Sequence, residues 1–290
     1  MSNELADAIT ARIIEQLEQG VAPWRKPWST AGLMPTSLGS MKPYQGINSL
    51  WLSIIGDMKG FESPYWTTYN NAKKLGGNVR KGEKSTMVTY YQKAVGKPKE
   101  GEEKGRAFMI MKSYNVFNVS QCEGLTVVMP ERKEITIGEG VKRVLESYDE
   151  VEITHKVTPQ AFYTPSLDTI TLPPLGAFHN ESAYAETLFH ELTHSTGHES
   201  RLNRFKEEKD QPRGFGSEVY AREELVAEIG ASMLASMVGM EIDFGNVSAY
   251  IGSWLKALKD DRNLIIQASQ RASKAVNYIL GITTESESVE

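Results

Sequence analysis

The chain has 290 residues, of which 40% are hydrophobic, 24% charged and 9% aromatic, a composition that excludes collagen, coiled-coil and fully disordered proteins. No segment reaches the roughly 20 consecutive apolar residues of a membrane-spanning helix, and the N-terminus lacks a secretory signal, so we expect a cytoplasmic location and no membrane partner. One cysteine, Cys122, and five histidines exclude an intramolecular disulfide and cysteine-rich zinc sites. Any metal site must therefore use histidine and carboxylate ligands.

Charge is distributed unevenly along the chain. The total of 32 basic and 37 acidic side chains gives a net charge of −5. Residues 1–125 hold 16 basic and 11 acidic side chains, a net charge of +5, whereas residues 126–290 hold 16 and 26, a net charge of −10. Phosphate contacts come from local lysines and arginines, so this asymmetry fits one nucleic-acid-binding half. The alternative is an ordinary difference in surface charge between two domains.

The first half is predicted to combine helices and strands. Apolar residues recur at helical spacing over residues 4–19 and again over 47–58, and each segment ends at a glycine. Residues 86–92 and 108–119 are rich enough in β-branched and aromatic side chains to predict strands. The charged segment 96–105, rich in glycine, is predicted to be the mobile loop that joins them.

The second half begins after the polar segment 130–133 and is predicted to be mainly helical behind a small sheet. A strand is predicted at 151–154, and a hairpin at 162–164 and 169–172 around the turn residues 165–168. The overall fold class is therefore α+β. Helices are predicted at 181–195, 218–238, 247–259 and 260–280.

The most informative motif is His190-Glu191-x-x-His194, which lies in the helix predicted at 181–195. Residues four apart lie about 40° apart around a helix, so both imidazoles can reach one ion. Glu191 lies about 100° round the helix from the preceding histidine, where it can act as general base toward the attacking water. This pattern predicts a zinc-dependent metallopeptidase site with His190 and His194 as ligands and Glu191 as the catalytic residue.

A third ligand is expected from the helix predicted at 218–238, which is otherwise apolar. Glu224 and Glu228 lie one turn apart on one face, and their pattern resembles the E-x-x-x-D pattern of thermolysin-like (gluzincin) peptidases. The resemblance implies that Glu224 binds the metal and that Glu228 orients a ligand histidine. Because Glu228 replaces the aspartate of that family, the two roles could be exchanged. Glu223 lies about 100° off this face and ranks third, as a surface residue.

Other polar residues are weaker candidates. His198 continues the four-residue spacing, but Gly197 is expected to end the helix before it, so His198 is either a third histidine ligand or a capping or substrate-side residue. His155 and His179 are expected to be structural or exposed. Two tyrosines are candidate oxyanion donors that no spacing separates, Tyr163 and Tyr220.

Cations and aromatic residues alternate in the first half, as sequence-tolerant binding of single-stranded DNA requires. Trp24 and Trp28 can be either core residues or stacking platforms, whereas the segment 73–84, which has five basic residues and one acidic residue, favours phosphate binding. The candidate DNA-binding residues are Trp24, Arg25, Lys26, Trp28, Tyr44, Lys73, Lys74, Arg80, Lys81 and Lys84.

The sequence resembles the ArdC-type antirestriction proteins of conjugative plasmids. The resemblance rests on residues 13–28, 43–48, 114–121, 189–198 with Arg201-Leu202, and 223–228. It implies an N-terminal domain that binds single-stranded DNA, similar to the N-terminal part of a plasmid primase, and a C-terminal domain like a zincin metallopeptidase. It also implies protection of incoming DNA from host restriction, with a host protein such as a restriction component as a candidate peptidase substrate.

These observations define the expected organisation: a single-stranded DNA-binding domain at 1–128, a linker at 129–136, a zincin-like domain at 137–282 and an acidic disordered tail at 283–290. The expected cofactor is a divalent metal, with Zn²⁺ first and Mn²⁺ or another divalent ion as alternatives. Two other functions stay open. In one, a metalloprotease uses the first half to recognise a protein substrate; in the other, a DNA-binding shield carries a structural metal.

Overall fold

The computed structural model describes residues 2–25, 34–95, 107–129, 136–206, 217–240, 248–261 and 263–283. Its helices within these ranges are α1 (Ser2–Glu18), α2 (Gly46–Lys59), α3 (Tyr69–Lys74), α4 (Ile137–Ser147), α5 (Glu181–Ser195), α6 (Glu218–Met237), α7 (Ser248–Asp260) and α8 (Leu264–Ile279). None of the helices in this described part of the chain has the length and apolar character needed to cross a bilayer.

The strands of the same ranges form three sheets. They are β1 (Thr36–Ser37), β2 (Tyr65–Thr68), β3 (Asn78–Val79), β4 (Thr86–Val95), β5 (Ala107–Asn118), β6 (Cys122–Glu123), β7 (Glu152–His155), β8 (Phe162–Thr164) and β9 (Thr169–Leu172). The strand orders are β1-β2-β5-β4, β3-β6 and β7-β9-β8. The predicted α+β class is confirmed.

The two long strands predicted in the first half pair with each other as an antiparallel hairpin. β4 and β5 are in register from Thr86 opposite Val116 to Val95 opposite Ala107. The predicted mobile loop at 96–105 lies outside the described residues. α2 is anchored beside this sheet because the Asn48 amide hydrogen-bonds to the backbone of Thr89, accepting from its N–H at 2.8 Å and donating to its carbonyl at 2.5 Å.

The small sheet of the second half contains the predicted hairpin and one parallel strand. β8 and β9 pair antiparallel, with Phe162 opposite Thr171, and Asp168 takes a positive φ of 51° in the turn between them. β7 pairs with β9 in parallel, with Ile153 opposite Ile170. This parallel pairing was not predicted, because sequence periodicity identifies strands but not their partners.

Most predicted helices form close to their predicted bounds. α5 begins and ends as predicted, with the Asn180 side chain accepting from the backbone N–H of Ala183 at its start. α2 ends at Gly60, which adopts a left-handed φ of 62° that a side chain would disfavour. The short helix α3 was not predicted, since six residues show too little periodicity; the Thr68 side chain caps its first turn.

The largest hydrophobic core joins the two halves of the chain. Side chains of α1 and α2, such as Ile13 and Leu50, belong to the same buried cluster as Leu192 of α5 and Ile265 of α8. The backbone N–H of Gly46 also donates to Ser273 Oγ on α8 at 2.8 Å. The two predicted domains therefore share a buried interface among the described residues, so experiments on this protein should use the whole chain.

Candidate metal centre

α5 presents His190 and His194 on one face, as the four-residue spacing predicts. Their Nε2 atoms lie 3.0 Å apart, and the two rings meet nearly edge to face with centroids 4.7 Å apart. Both rings are largely buried, with 17% and 14% of their side-chain surface exposed. The two nitrogens therefore point toward one common space.

Glu224 of α6 closes this space from the opposite side. One of its carboxylate oxygens lies 3.5 Å from His190 Nε2 and the other lies 3.5 Å from His194 Nε2. Ligand atoms of the three residues all lie within 4.8 Å of one another. Two imidazole nitrogens and one carboxylate form a donor set that suits zinc and accepts other divalent ions. The residues present fit a divalent metal.

The close approach of α5 and α6 depends on a glycine. A Cβ atom at Gly230 would lie only 2.5 Å from Thr193 Cγ2 and 2.9 Å from Thr193 Oγ1, so a larger residue would push the helices apart. Thr193 follows Leu192 on the buried side of α5, and Gly230 lies six residues after Glu224 on α6. The glycine thus allows a carboxylate of one helix to reach the histidines of the other.

Each histidine also faces a second carboxylate through its other ring nitrogen. His190 Nδ1 lies 3.6 Å from Glu228 Oε1, and His194 Nδ1 lies 3.2 Å from Glu223 Oε1. Such carboxylate partners orient a ligand histidine and leave its Nε2 lone pair for a metal. Glu228 lies beside His190 Nδ1, and Glu224 rather than Glu228 lies between the two Nε2 atoms.

The expectation that Glu223 is a surface residue is wrong. Glu223 is only 7% exposed, because the guanidinium of Arg204 lies against its carboxylate, with Nη2 2.5 Å from Oε1 and Nε 3.3 Å from Oε2. Helical geometry alone could not reveal this pairing, since Arg204 belongs to the segment that follows α5 and no periodicity extends to it. Arg204 is therefore a residue of the site that sequence reasoning missed.

The carboxylates of this cluster stabilise positive charge on the two histidines. Burial by itself lowers the pKa of His194, but the carboxylates of Glu223 and Glu224 outweigh burial and raise that pKa to about 10. The pKa of His190 is also raised, against burial, chiefly by Glu224. Burial raises the pKa of Glu223, yet Arg204 and His194 hold it at about 2. In the absence of metal the site therefore retains protons.

Glu191 lies beside the ligands and not among them. It is 7% exposed and lines a cavity of about 200 Å³ that opens onto His190. Glu186 and Glu228 also line this cavity, so its walls carry three carboxylates. Glu191 thus lines the same cavity as His190.

The remaining histidines do not join the cluster. His198 Nδ1 lies 2.8 Å from Ser200 Oγ and also accepts from the backbone N–H of Ser200, so His198 is not one of the grouped ligands among the described residues. His155 stacks on Tyr184, with ring centroids 5.9 Å apart, and His179 is exposed. These arrangements agree with capping and structural roles.

Neither candidate oxyanion donor is placed at the cluster by a described contact. The hydroxyl of Tyr163 donates to Asp168 Oδ1 at 2.7 Å, and Arg201 binds the same carboxylate, with Nη1 2.9 Å from Oδ2. This group lies at the turn between β8 and β9. Tyr220 lies in the first turn of α6.

Trp24 is a core residue, and the prediction that it contacts DNA is corrected. Its indole is fully buried and packs edge to face against Trp254 of α7, with ring centroids 5.3 Å apart, so no base can stack on it. Arg25 belongs to the 3-10 turn Pro23–Arg25, whereas Lys26 and Trp28 lie outside the described residues.

The other candidate DNA-binding residues are partly brought together. Lys73 and Lys74 end α3, and three further exposed cations lie on the turn after β3: Arg80, Lys81 and Lys84. Arg80 is engaged by Glu83, with Nη2 2.8 Å from Oε1, so part of its charge is neutralised locally. Tyr44 is half-buried against the small core cluster around Leu52. We refer to Lys73, Lys74, Lys81 and Lys84 as the basic surface.

Tyr69 is an aromatic residue that the list of candidates omitted. It is 44% exposed, and the ammonium of Lys73 lies 4.9 Å from the centroid of its ring. The neighbouring Tyr65 and Trp66 are buried in β2, because alternate sides of this strand are both covered. The signal that could have identified Tyr69 is its position at the boundary between a strand and a basic helix.

The metal cluster and the surrounding helices define a zincin-like metallopeptidase domain that follows a separate N-terminal region. A family model described as a zincin-like metallopeptidase matches residues 141–271, and a model of the N-terminal domain of anti-restriction factor ArdC matches residues 3–117. The crystal structure of the antirestriction ArdC protein from the R388 plasmid, in its metal-free form, is 37% identical with a TM-score of 0.78, covering 95% of this chain and 96% of that one.

The chain belongs to the ArdC family of antirestriction proteins. A Mn(II)-bound structure of the R388 protein aligns equally well, with a TM-score of 0.78 at 37% identity, covering 96% of this chain and 98% of that one. The uncharacterised protein y4eC of Sinorhizobium fredii is 30% identical over 95% of this chain and 91% of its own length. Two DNA primases TraC of Escherichia coli are 35% and 36% identical over 94% of this chain, which spans only 20% and 27% of their lengths.

Proposed function

We propose that this protein is a plasmid-type antirestriction factor that binds single-stranded DNA and uses a divalent-metal peptidase site between α5 and α6. The proposed metal site rests on one observation: His190 Nε2, His194 Nε2 and the Glu224 carboxylate converge beside Glu191. The Mn(II)-bound structure of the R388 ArdC protein supports a divalent metal here. Zn²⁺ is the expected ion, because the donor set is that of zinc peptidases.

The site residues divide the chemistry among them. His190, His194 and Glu224 would hold the metal, which as a Lewis acid lowers the pKa of water and polarises a carbonyl when bound. Glu191 accepts the proton of the attacking water and passes it to the leaving amine. Glu223 and Glu228 hold the imidazoles in place through Nδ1.

The charge of the cavity favours a peptide bond over DNA as the substrate of this site. Its lining contains the carboxylates of Glu186, Glu191 and Glu228, and no lysine or arginine lines it among the described residues. This negative potential would repel a charged phosphodiester but not a neutral amide. We therefore assign DNA binding to the basic surface and hydrolysis of a host protein to the metal site.

Single-stranded DNA is proposed as the nucleic-acid partner because an exposed cation lies against an exposed aromatic ring. Lys73 packs over Tyr69, an arrangement in which a base can stack on the ring while phosphates meet exposed lysines. The match to the ArdC N-terminal domain and the similarity to primases support this assignment. Lys26 and Trp28 remain candidates that no described contact tests.

A protection assay separates this function from its two alternatives. The full-length protein is expressed in cells with an active restriction system, and survival of incoming DNA is compared for Glu191→Gln and for a variant with the four lysines of the basic surface replaced by glutamine. A matched control replaces four exposed cations elsewhere with glutamine: Lys142, Arg143, Lys156 and Lys274.

The proposed function predicts that both test variants lose protection and that the control retains it. Loss with Glu191→Gln alone would favour a protease whose first half recognises protein. Loss with the basic-surface variant alone would favour a DNA-binding shield with a structural metal. Full protection by both variants would contradict the proposal.

A further inference from the structure

Arg204 connects three parts of the metal centre, although it is not a metal ligand. It is 9% exposed, and its guanidinium binds both oxygens of Glu223, at 2.5 and 3.3 Å. The same group donates to the carbonyl oxygens of Thr193, at 2.8 Å, and of His194, at 3.3 Å, and to the hydroxyl of Thr196. It therefore joins the C-terminal end of α5 to a carboxylate of α6.

The carboxylate that Arg204 holds is the one that faces His194. Glu223 Oε1 lies 2.5 Å from Arg204 Nη2 and 3.2 Å from His194 Nδ1, so one oxygen bridges the arginine and the imidazole. On the far side of the ring, His194 Nε2 lies 3.5 Å from Glu224. A continuous chain of polar contacts thus runs from Arg204 to the position of the metal.

From these contacts we propose that Arg204 is a positioning residue that holds Glu223 against His194 and thereby fixes the direction of His194 Nε2. The inference rests on the proposed metal binding at this centre. A guanidinium is suited to this role because its planar donors match a carboxylate in two places at once. An ammonium would match only one oxygen at a time, and an amide would not supply the charge.

The positive charge of Arg204 also explains how Glu223 can be buried beside Glu224 and Glu228. Glu223, Glu224 and Glu228 are all at most 7% exposed, and buried carboxylates without cationic partners are costly. With its oxygens engaged by Arg204, Glu223 can accept a hydrogen bond from His194 without competing for the metal. The grouped ligand atoms accordingly include Glu224 and exclude Glu223.

The backbone around the guanidinium leaves room for it. A Cβ atom at Gly197 would lie 3.0 Å from Arg204 Nη2, 2.9 Å from the ring of Phe205 and 3.1 Å from the His194 carbonyl oxygen. A larger residue at this position would displace the arginine from the end of α5. Gly197 therefore contributes to the site by its lack of a side chain, and not only by following the helix.

Arg201 provides a matched control for the test. It lies in the same segment and its side chain is 2% exposed, and it also binds the end of α5, donating to the carbonyl of Ser195 at 2.9 Å. Its carboxylate partner is Asp168, at the β8–β9 turn, and not a residue of the metal cluster. Replacing Arg201 removes an ion pair of the same type, in which the arginine is buried and the Asp168 side chain is 29% exposed, without touching the contacts of His194.

The experiment measures the Mn²⁺ affinity of the full-length protein by the electron paramagnetic resonance signal of free Mn²⁺. The variants are Arg204→Gln, Arg204→Lys, Glu223→Gln, the Arg204→Gln/Glu223→Gln double variant and Arg201→Gln. Thermal unfolding of each metal-free variant gives its stability, and the visible spectrum of bound Co²⁺ reports the coordination geometry.

We expect Arg204→Gln and Glu223→Gln each to weaken Mn²⁺ binding by about 10- to 100-fold, the range for lost outer partners of ligand histidines. The double variant should lie within about threefold of either single variant, since both break the same chain of contacts. Arg204→Lys should recover part of the loss, and Arg204→Gln should shift the Co²⁺ spectrum. Arg201→Gln should lower the unfolding temperature while keeping Mn²⁺ affinity within about threefold.

Two results would overturn the inference alone: Mn²⁺ affinity of Arg204→Gln within about threefold of the wild type, or equal losses for Arg204→Gln and Arg201→Gln. If Arg204→Gln does not fold, Arg204→Lys and Glu223→Gln decide the question by the same criteria. Absence of Mn²⁺, Zn²⁺ and Co²⁺ binding by the wild type would instead overturn the proposed metal site, and the inference with it.

Discussion

The metal centre and the basic surface differ in what holds their side chains. At the metal centre, His190 and His194 each meet carboxylates through both ring nitrogens, and those carboxylates are buried. On the basic surface, the four lysines are exposed, and the contact described for them is that of Lys73 with the Tyr69 ring. Function at the first region therefore depends on how closely the side chains are held in place, whereas function at the second depends on the number of charges.

The largest effect should come from removing a metal ligand. His190→Ala or Glu224→Ala leaves two of three grouped ligand atoms, so metal affinity should fall by more than about 100-fold, beyond the range for outer partners. Competition with a chelator measures this loss. DNA affinity should stay unchanged within about twofold if the two regions act separately. A loss of DNA binding in the ligand variants would show that the metal centre and the basic surface do not act separately.

The next largest effect should be the pH dependence of metal loading. Without metal, the pKa of His194 is raised to about 10 and the pKa of His190 is also raised, so near neutral pH the cluster holds protons that a metal must displace. Loading should therefore release at least the proton of His194, and affinity should rise about 10-fold per pH unit for that proton between pH 6 and 8. Calorimetry in buffers of different ionisation enthalpy counts the protons. A metal affinity that does not change with pH would contradict the interpretation that the carboxylates keep His194 protonated when no metal is bound.

On the basic surface the expected signature is salt dependence. The slope of log affinity against log salt is negative, and each lysine that neutralises a phosphate of single-stranded DNA adds about 0.7 to its magnitude. Replacing all four lysines by glutamine should therefore reduce the magnitude of the slope by about 3. Fluorescence anisotropy with a labelled oligonucleotide measures it in the full-length protein. The variant with Lys142, Arg143, Lys156 and Lys274 replaced serves as the control and should keep the wild-type slope.

Tyr69→Ala sharpens this test, because stacking is not ionic. It should weaken binding by about 1–3 kcal/mol while leaving the salt slope unchanged. A change in slope without a change in affinity at low salt would show that Tyr69 only supports Lys73. An unchanged slope in the four-lysine variant would remove the basic surface from the DNA-binding site.

The sequence predicted the parts of the molecule that repeat with a local period. The spacing of His190 and His194 placed both rings on one face of α5, and apolar spacing gave the bounds of α5 and α2 closely. The cost of a carboxylate in an apolar helix indicated Glu228, and the resemblance to the gluzincin pattern indicated Glu224 as the ligand. Helical periodicity and short motifs are set by neighbouring residues, and so they can be read without the fold.

Features that depend on contacts distant in sequence could not be predicted. Glu223 looked exposed on helical geometry, but Arg204, which lies outside both helices, covers it. Trp24 was ambiguous because its burial depends on Trp254, 230 residues later in the chain. The parallel pairing of β7 with β9 likewise joins two strands that β8 separates along the chain, so no local period specifies it.

The last effect we predict concerns the contact that brings the two helices together. Gly230→Ala would place a Cβ atom 2.5 Å from Thr193 Cγ2, and relief of this overlap should cost about 1–3 kcal/mol of unfolding free energy. Because α6 carries Glu224, the same displacement should also weaken metal binding, whereas DNA affinity should not change. Chemical denaturation and chelator competition measure the two effects.

Thr193→Ala in the same chain tests the cause of this loss. It removes the two atoms closest to the new Cβ, Cγ2 and Oγ1, and leaves Thr193 Cβ at 3.3 Å. The double variant should therefore recover most of the metal affinity lost by Gly230→Ala, even though the hydrogen bond from Thr193 to the Phe189 carbonyl is gone. Additive losses would show that the loss caused by Gly230→Ala does not come from contact with the Thr193 side chain, since alanine has a higher helix propensity than glycine. Recovery would show that the distance between the two helices sets the metal affinity of the centre. DNA binding by the basic surface should not depend on that distance.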